Sequence, residues 1–184
     1  MNRLVEIAVA QEVLERARDG DERAQASIYA ALAPATFALI RRLVGSRALA
    51  EDLFQDTMMT LYQHLAQFRS EAPLGAWVRQ IAVTKCLMYL RSPWNRARLG
   101  FDPDLNGGSV PALLPETIDV EHALAVLTPT ARAVVWLYDV EGYSHEEIAR
   151  EFGRSVSFSK SQLTRAHARL RGWFEPDRQT CTLI

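Results

Sequence analysis

The chain has 184 residues, of which 48% are apolar and 23% charged, and its formal net charge is −1. This composition is typical of a soluble globular protein with one or two small domains, and no apolar run approaches the roughly 18 residues that span a membrane. Two cysteines far apart in sequence, Cys86 and Cys181, without a Cys/His cluster argue against a disulfide framework and a metal site.

Two helices are predicted at the start of the chain. Val9–Arg18 is a short amphipathic segment, and Asp21–Val44 is a long one whose apolar residues recur near helical spacing. Three acidic residues, Glu6, Glu12 and Glu15, lie in the helical pattern of the first 20 residues. They argue against a secretory signal, so we expect a cytoplasmic protein.

A third helix is predicted from Ser46, a plausible N-cap, to about Phe68. Beside its apolar stripe, Asp52, Gln55 and Asp56 lie at i, i+3 and i+4 and therefore share one face. This acidic, amide-bearing face is a candidate to dock on basic helices of a partner. The alternative is an ordinary solvated face of an amphipathic helix.

A fourth helix, predicted over Leu74–Ser92, lies in a basic region. Residues 69–98 hold six Lys/Arg and one Glu, a net of +5. Cations mixed with aromatic residues are typical of surfaces that hold single-stranded nucleic acid. The alternative for any single charge run is again a solvated face.

The stretch Ser92–Glu116 breaks the helical pattern with four prolines and a Gly-Gly pair. A structureless run of this length does not belong inside a compact domain, so it indicates a linker. We therefore predict helical domains at 1–95 and 118–175, a flexible linker at 96–117 and a tail at 176–184.

The second domain is predicted to contain four helices. Asp119–Leu127 is short, and the next helix begins at Pro129 after the N-cap Thr128 and ends near Gly142. Ser144 and Glu147 have the spacing of a capping box for a third helix.

The last two predicted helices, Ser144–Phe152 and one capped by Ser155 that runs to about Gly172, are joined through Gly153. Two short helices with a glycine-containing turn are the signature of a helix-turn-helix motif, whose second helix enters the DNA major groove. From Phe158 to Gly172 there are four Lys/Arg and no Asp/Glu. The alternative is a helical hairpin whose basic helix is only solvated.

Within that motif, the second helix offers two kinds of contact. Side chains that could reach base edges are Ser157, Phe158, Ser161, Gln162 and Arg165, and those suited to phosphates are Lys160, Arg169 and Arg171. Arg154 and Ser159 occupy positions where such motifs usually carry buried apolar residues. Phe158 is a candidate to supply part of the missing apolar packing.

Two stretches resemble the extracytoplasmic-function sigma factors of bacterial RNA polymerase. Leu127–Arg171 resembles their C-terminal domain through Leu127-x-Pro129-x-x-Arg132, Glu141–Ser144, Glu147–Ala149, Gly153, Lys160-Ser161 and Arg165-Ala166. Ala50–Arg91 resembles their second conserved region through Glu-Asp-Leu-x-Gln-Asp, Phe68, Trp77 and Ile81-Ala82. Together the resemblances cover about half the chain in the family's order, with a linker between them.

The resemblance implies an all-α fold of two small helical domains joined by the linker. It assigns core-polymerase binding to Asp52, Gln55 and Asp56, and contact with the minus-ten promoter element to Arg69, Arg79, Gln80, Thr84, Lys85 and Arg91. It assigns the minus-thirty-five element to Arg154, Ser157, Phe158, Lys160, Ser161, Gln162, Arg165 and Arg169. In the family, the loop that is here about Arg69–Leu74 captures a flipped base.

The resemblance also implies the partners: core RNA polymerase, promoter DNA and an anti-sigma factor, often membrane-bound. No enzymatic activity, cofactor, metal or small-molecule substrate is expected. Thr84 and Met88 depart from the family's usual Asn and Asp, and Gln162 from a frequent Arg. Three alternatives stay open: a stand-alone helix-turn-helix regulator, a sigma-mimicking decoy that sequesters an anti-sigma protein, and an enzyme, which turnover by the isolated chain would reveal.

Overall fold

The computed structural model describes residues 4–92 and 120–174, and these residues form helices and no strand. The predicted all-α fold is therefore confirmed for both ranges. The eight α-helices within them are α1 Gln11–Arg18, α2 Glu22–Val44, α3 Arg47–His64, α4 Leu74–Arg91, α5 Val120–Ala125, α6 Pro129–Val135, α7 His145–Phe152 and α8 Val156–Phe174.

The chain divides into two compact units. The first holds the described residues up to Arg41 together with Ser46–Cys86, and the second holds Arg42–Gly45 and the described residues from Leu87 onward. The expected linker at 96–117, the tail at 176–184 and Cys181 lie outside the described residues. The domain boundaries therefore stay predictions.

The first unit is built on the apolar side of α2. Ile28 and Leu32 of this helix are fully buried, as are Leu61 of α3 and Val78 of α4. Within the described residues, α2 is also long and apolar enough to cross a membrane by length and composition, a test that the core helix of a soluble protein passes as well.

Polar contacts to backbone carbonyls fix the positions of α1, α2 and α3. The hydroxyl of Tyr62 donates to the carbonyl oxygen of Gln25 at 2.9 Å. The guanidinium of Arg18 donates to the carbonyl oxygens of Leu65, at 3.2 Å, and Phe68. Both carbonyls lie in the segment that follows α3, where the carbonyl of Leu65 also accepts from the amide of Phe68 at 3.2 Å, so Arg18 ties the end of α1 to the chain that leaves α3.

The chain before α1 lies against the beginning of α4. The amide of Gly75 donates to the carbonyl oxygen of Ile7 at 2.9 Å. A Cβ atom at position 75 would stand 1.9 Å from the carbonyl oxygen of Leu4. Only glycine permits the two backbones to approach so closely.

Capping in the second unit follows the predictions. Thr128 accepts from the amide of Ala131 at 3.2 Å, with Pro129 as the first residue of α6. Ser144 and Glu147 form both bonds of a capping box, at 3.1 and 2.8 Å. Gly153 ends α7 in the left-handed conformation, with φ at 61°, which lets the chain turn sharply into α8.

The helix predicted from Pro129 to about Glu141 differs in its last part. It is α-helical only to Val135, and Trp136–Val140 form a wider π-helical turn. The amide of Glu141 donates to the carbonyl oxygen of Trp136, five residues back, at 3.0 Å. The carboxylate of Glu141 also accepts from the indole of Trp136 at 3.2 Å, which stabilises the wider turn.

We expect Gly75→Ala to lower the free energy of unfolding by about 1–3 kcal/mol, because the added methyl group forces the Leu4 backbone away. Urea unfolding followed by circular dichroism measures the loss. Gly172→Ala is the matched control, because a Cβ at that helical position meets nothing within 4 Å. Equal unfolding midpoints for the two variants would contradict the close approach at Gly75.

Candidate functional site

The face of α3 that points away from the core carries the predicted acidic residues. Asp52, Gln55 and Asp56 are all exposed, and Met59, one turn further on, is 59% exposed. Among the described residues, the side chains of Asp52 and Gln55 have no hydrogen-bond partner. We call Asp52, Gln55 and Asp56 the acidic ridge, an exposed surface with two carboxylates and one amide.

One contact of the acidic ridge was not evident from the sequence. The Nζ atom of Lys85 lies 3.2 Å from Oδ2 of Asp56, with exposed side-chain fractions of 23% for the lysine and 62% for the aspartate. A candidate polymerase contact and a candidate DNA contact are therefore paired with each other in the free chain.

The candidate DNA contacts on α4 do not all share one face. Gln80 is exposed, and its amide donates to the hydroxyl of Thr84 at 3.3 Å. Arg79 instead has a half-buried side chain with its Nε atom buried, at i−4 from the buried Val83. The helical position of Arg79 turns it away from Gln80 and Thr84, and its contact with the minus-ten element stays a prediction.

The loop before α4 is open to solvent. Residues 69–73 are all exposed, and Ser70 adopts a left-handed conformation with φ at 57°. Its hydroxyl donates to the side-chain oxygen of Gln11 at 3.2 Å, which helps to hold this uncommon backbone. Behind the loop, Trp77 is half-buried and stacks on Phe68 with 5.2 Å between the ring centroids.

Arg91, the last residue of α4, belongs to the second unit. Its side chain is exposed, and its guanidinium donates to the carbonyl oxygen of Glu151 at 3.0 Å. The family resemblance assigns Arg91 to the same DNA surface as Lys85, and that assignment stays a prediction.

The second helix of the helix-turn-helix motif presents a basic face. Its exposed residues include most of the predicted DNA contacts: Ser157, Lys160, Ser161, Arg165 and Arg169. Because α8 contains no Asp or Glu, no carboxylate of the helix itself offsets these cations. The arrangement suits contacts with phosphates and base edges in a groove.

Gln162 is less accessible than its neighbours in the predicted set. It is only 7% exposed, whereas Ser161 and Arg165 are exposed, and its contact with base edges stays a prediction. It lies on the helix side that leads to the buried Leu163 and Ala166, where its aliphatic part adds to the packing.

Ser159 occupies a core position and is satisfied there. It is fully buried, and its hydroxyl pairs with Nδ1 of His145 at 3.0 Å. The imidazole of His145 stacks on Tyr138, with centroids 4.4 Å apart. A polar pair thus replaces the apolar contact usual at this position.

Phe158 fills the remaining space between the two helices. It is half-buried and packs on Phe152 with 5.6 Å between the centroids. The exposed Arg154 places its guanidinium carbon 6.0 Å from the Phe158 ring. Phe158 therefore acts first as a packing residue, and Arg154 lies at the rim of the motif.

The described cysteine is not a reactive group. Cys86 is fully buried, and burial raises the pKa of its thiol to about 12. The sulfur therefore stays protonated at neutral pH, where only the thiolate would be a good nucleophile.

Two family comparisons cover most of the chain. Residues 28–96 match sigma-70 region 2, and residues 117–170 match sigma-70 region 4. The first match contains the acidic ridge and α4, and the second contains the helix-turn-helix motif.

Individual relatives agree with these matches. The ECF RNA polymerase sigma factor SigM of Mycobacterium tuberculosis is 31% identical over 121 residues, which are 66% of this chain and 62% of the relative. The RNA polymerase sigma factor CarQ of Myxococcus xanthus is 29% identical over 165 residues, 86% of this chain and 93% of the relative. The chain thus spans 62% of the length of SigM.

Solved structures give the same fold. The sigma factor RpoE from Bartonella quintana, solved in complex with the anti-sigma factor NepR, matches with a TM-score of 0.54 and 26% identity over 83% of this chain and 97% of that one. CnrH, solved with the cytosolic domain of CnrY, matches with a TM-score of 0.51 and 23% identity over 90% of this chain and 96% of that one, which shows the fold alone.

We expect Ser159→Ala to destabilise the second unit by about 1 kcal/mol, because it removes a buried hydrogen bond with His145. Ser161→Ala is the matched control, since Ser161 is exposed on the same helix and its replacement should change stability by less than about 0.5 kcal/mol. Thermal unfolding of both variants measures the difference. A Ser159→Ala variant as stable as the control would show that the pair does not contribute.

Proposed function

The chain belongs to the extracytoplasmic-function group of the sigma-70 family, and we propose that it is an alternative sigma factor that directs core RNA polymerase to a two-element promoter. Residues 1–95 form the polymerase-binding and minus-ten domain, and residues 118–175 form the minus-thirty-five domain. The chain works in the cytoplasm and catalyses no reaction of its own. The exposed acidic ridge, at the family's polymerase-binding position, is the observation that carries this proposal.

Polymerase binding falls to the acidic ridge. Asp52 and Asp56 are a helical turn apart on one exposed face, with Gln55 between them. Carboxylates can accept charge-assisted hydrogen bonds from arginines or lysines of a polymerase helix, and the amide can both donate and accept. Met59 at the end of the face adds an apolar contact, which suits the centre of an interface.

Promoter melting falls to α4 and the loop before it. The exposed loop of residues 69–73 stands next to the stacked pair of Phe68 and Trp77. Extracting a base from the duplex costs a few kcal/mol, which contacts to the extruded base partly offset. Gln80 and Thr84 offer hydrogen-bonding groups for bases, and Lys85 offers charge for the backbone.

Recognition of the minus-thirty-five element falls to α8. Ser161 and Arg165 are exposed, one turn apart, between the first turns and the middle of the helix that enters the major groove. Arginine reads guanine by two hydrogen bonds, so Arg165 is the side chain best suited to give sequence preference. Lys160 precedes this pair along α8 and Arg169 follows it, and both contact DNA phosphates.

An anti-sigma factor is the proposed negative regulator. Bartonella RpoE was solved in complex with the anti-sigma factor NepR, and the match with RpoE covers 83% of the present chain. The acidic ridge and the exposed apolar Met59 form a surface that a regulator can cover to exclude polymerase. We propose that this regulator is membrane-bound and releases the chain on a signal.

Run-off transcription with core polymerase, on a template carrying the promoter upstream of the chain's own operon, tests the proposed function. Asp52→Lys combined with Asp56→Lys should abolish the transcript, since two repulsive charges weaken polymerase binding by about tenfold or more. Glu12→Lys is the control, because Glu12 is an exposed acid of the first unit outside the acidic ridge. Absence of binding between the unaltered chain and core polymerase would sink the proposal.

Arg165→Ala should weaken recognition of the minus-thirty-five element alone. We expect the variant to lose about 1–3 kcal/mol of binding free energy for the preferred promoter and to discriminate less between bases at one base pair. Arg169→Ala should instead weaken binding uniformly across sequences and reduce its salt dependence. Transcription from promoters with single substitutions in each element separates the two effects, and a loss of minus-ten preference in Arg165→Ala would contradict the assignment.

A further inference from the structure

The ion pair between Asp56 and Lys85 joins two surfaces that the proposed function uses separately. The carboxylate belongs to the acidic ridge on α3, and the ammonium belongs to α4, the proposed minus-ten helix. The pair holds them 3.2 Å apart, and the described residues offer neither side chain any other partner. No sequence pattern connects the two residues, because they are 29 positions apart.

A carboxylate in this position weakens the attraction of Lys85 for phosphate. The ammonium group attracts phosphate through its positive charge. A carboxylate at hydrogen-bond distance largely offsets this electrostatic attraction for a phosphate that is farther away. A phosphate that approaches Lys85 must displace Asp56 or tolerate repulsion from it. The free chain therefore holds this cation in a masked state.

The same pair is easily exchanged. The side chain of Asp56 is 62% exposed, and exposed ion pairs contribute little stability. The other carboxylate oxygen, Oδ1, has no hydrogen-bond partner among the described residues. An arginine or lysine of a partner can therefore approach Asp56 from solvent and compete with Lys85 for it.

We infer that Asp56 masks Lys85 in the free chain and releases it when polymerase binds the acidic ridge. This inference rests on the proposed function and adds to it a coupling between the two binding events. Such coupling is reciprocal: polymerase bound at Asp56 strengthens the contact of Lys85 with DNA, and DNA bound at Lys85 strengthens the contact of Asp56 with polymerase. Asp56 is thus both a polymerase contact and a positioning residue for the DNA contact.

Binding of the free full-length chain to a short fluorescent oligothymidylate tests the mask. Asp56→Asn should bind about two- to fivefold more tightly than Asp52→Asn, the range that one exposed ion pair supports. The slope of log affinity against log salt concentration should also be more negative by about 0.7 for Asp56→Asn than for Asp52→Asn. This difference is expected for one additional phosphate contact.

Asp52→Asn is the matched control for this comparison. It makes the same charge change on the same exposed face, but Asp52 has no hydrogen-bond partner in the described part of the chain. Equal affinities and equal salt slopes for the two variants would overturn the mask. If neither variant bound oligothymidylate detectably, the mask would also be overturned, because removal of the Asp56 charge would then not have made Lys85 available to phosphate.

Binding to core polymerase tests the release. Lys85→Gln should bind polymerase about two- to fivefold more tightly than Arg69→Gln, because only the first variant frees the carboxylate of Asp56. Both variants lose one cation from the same domain. Equal or weaker binding by Lys85→Gln would overturn the release.

Failure of the proposed function would be recognisable separately. If the unaltered chain did not bind core polymerase, the sigma-factor assignment and the release step would both fall. The oligothymidylate comparison would still decide whether Asp56 masks Lys85, since it contains no polymerase.

Discussion

The division of α3 into a buried face and an exposed face is the constraint on which the first unit depends. Leu53 and Leu61 are buried against the other helices of the unit, and their burial fixes the rotation of α3 about its axis. That rotation leaves Asp52 and Asp56 in solvent, where carboxylates keep their charge at no desolvation cost. The same apolar packing that stabilises the fold therefore also prepares the surface for a partner.

The second unit positions its basic helix by other means. The left-handed Gly153 sets the sharp turn between α7 and α8. The pair of Ser159 and His145, together with the packing of Phe158 on Phe152, then fixes how the two helices cross. With these contacts on the inner side of α8, the cations are left on the outer side. A helix that enters a groove needs this separation, because a side chain used for packing cannot also read a base.

Much of this arrangement could be predicted from the sequence, because its determinants are local. Capping by Thr128 and Ser144, the glycine at position 153 and the spacing of the acidic ridge all act within one or two helical turns. The partial burial of Arg79 and the burial of Gln162 could not be predicted in this way, since burial depends on neighbours from other helices. The ion pair between Lys85 and Asp56 could not be predicted from the sequence either, because it depends on how α3 and α4 pack against each other.

The balance of charges gives these tertiary pairs a functional meaning. The chain holds 21 Lys/Arg and 22 Asp/Glu, so its basic helices fold in the presence of a nearly equal number of acidic side chains. Some of these become intramolecular partners: Asp56 binds Lys85, and Asp139 binds His167 of α8 at 2.7 Å. On the proposed function, a phosphate and the carboxylate of Asp56 compete for the ammonium group of Lys85. A partner that engages Asp56 therefore frees this ammonium group for DNA, and the gain in affinity needs no change of the fold.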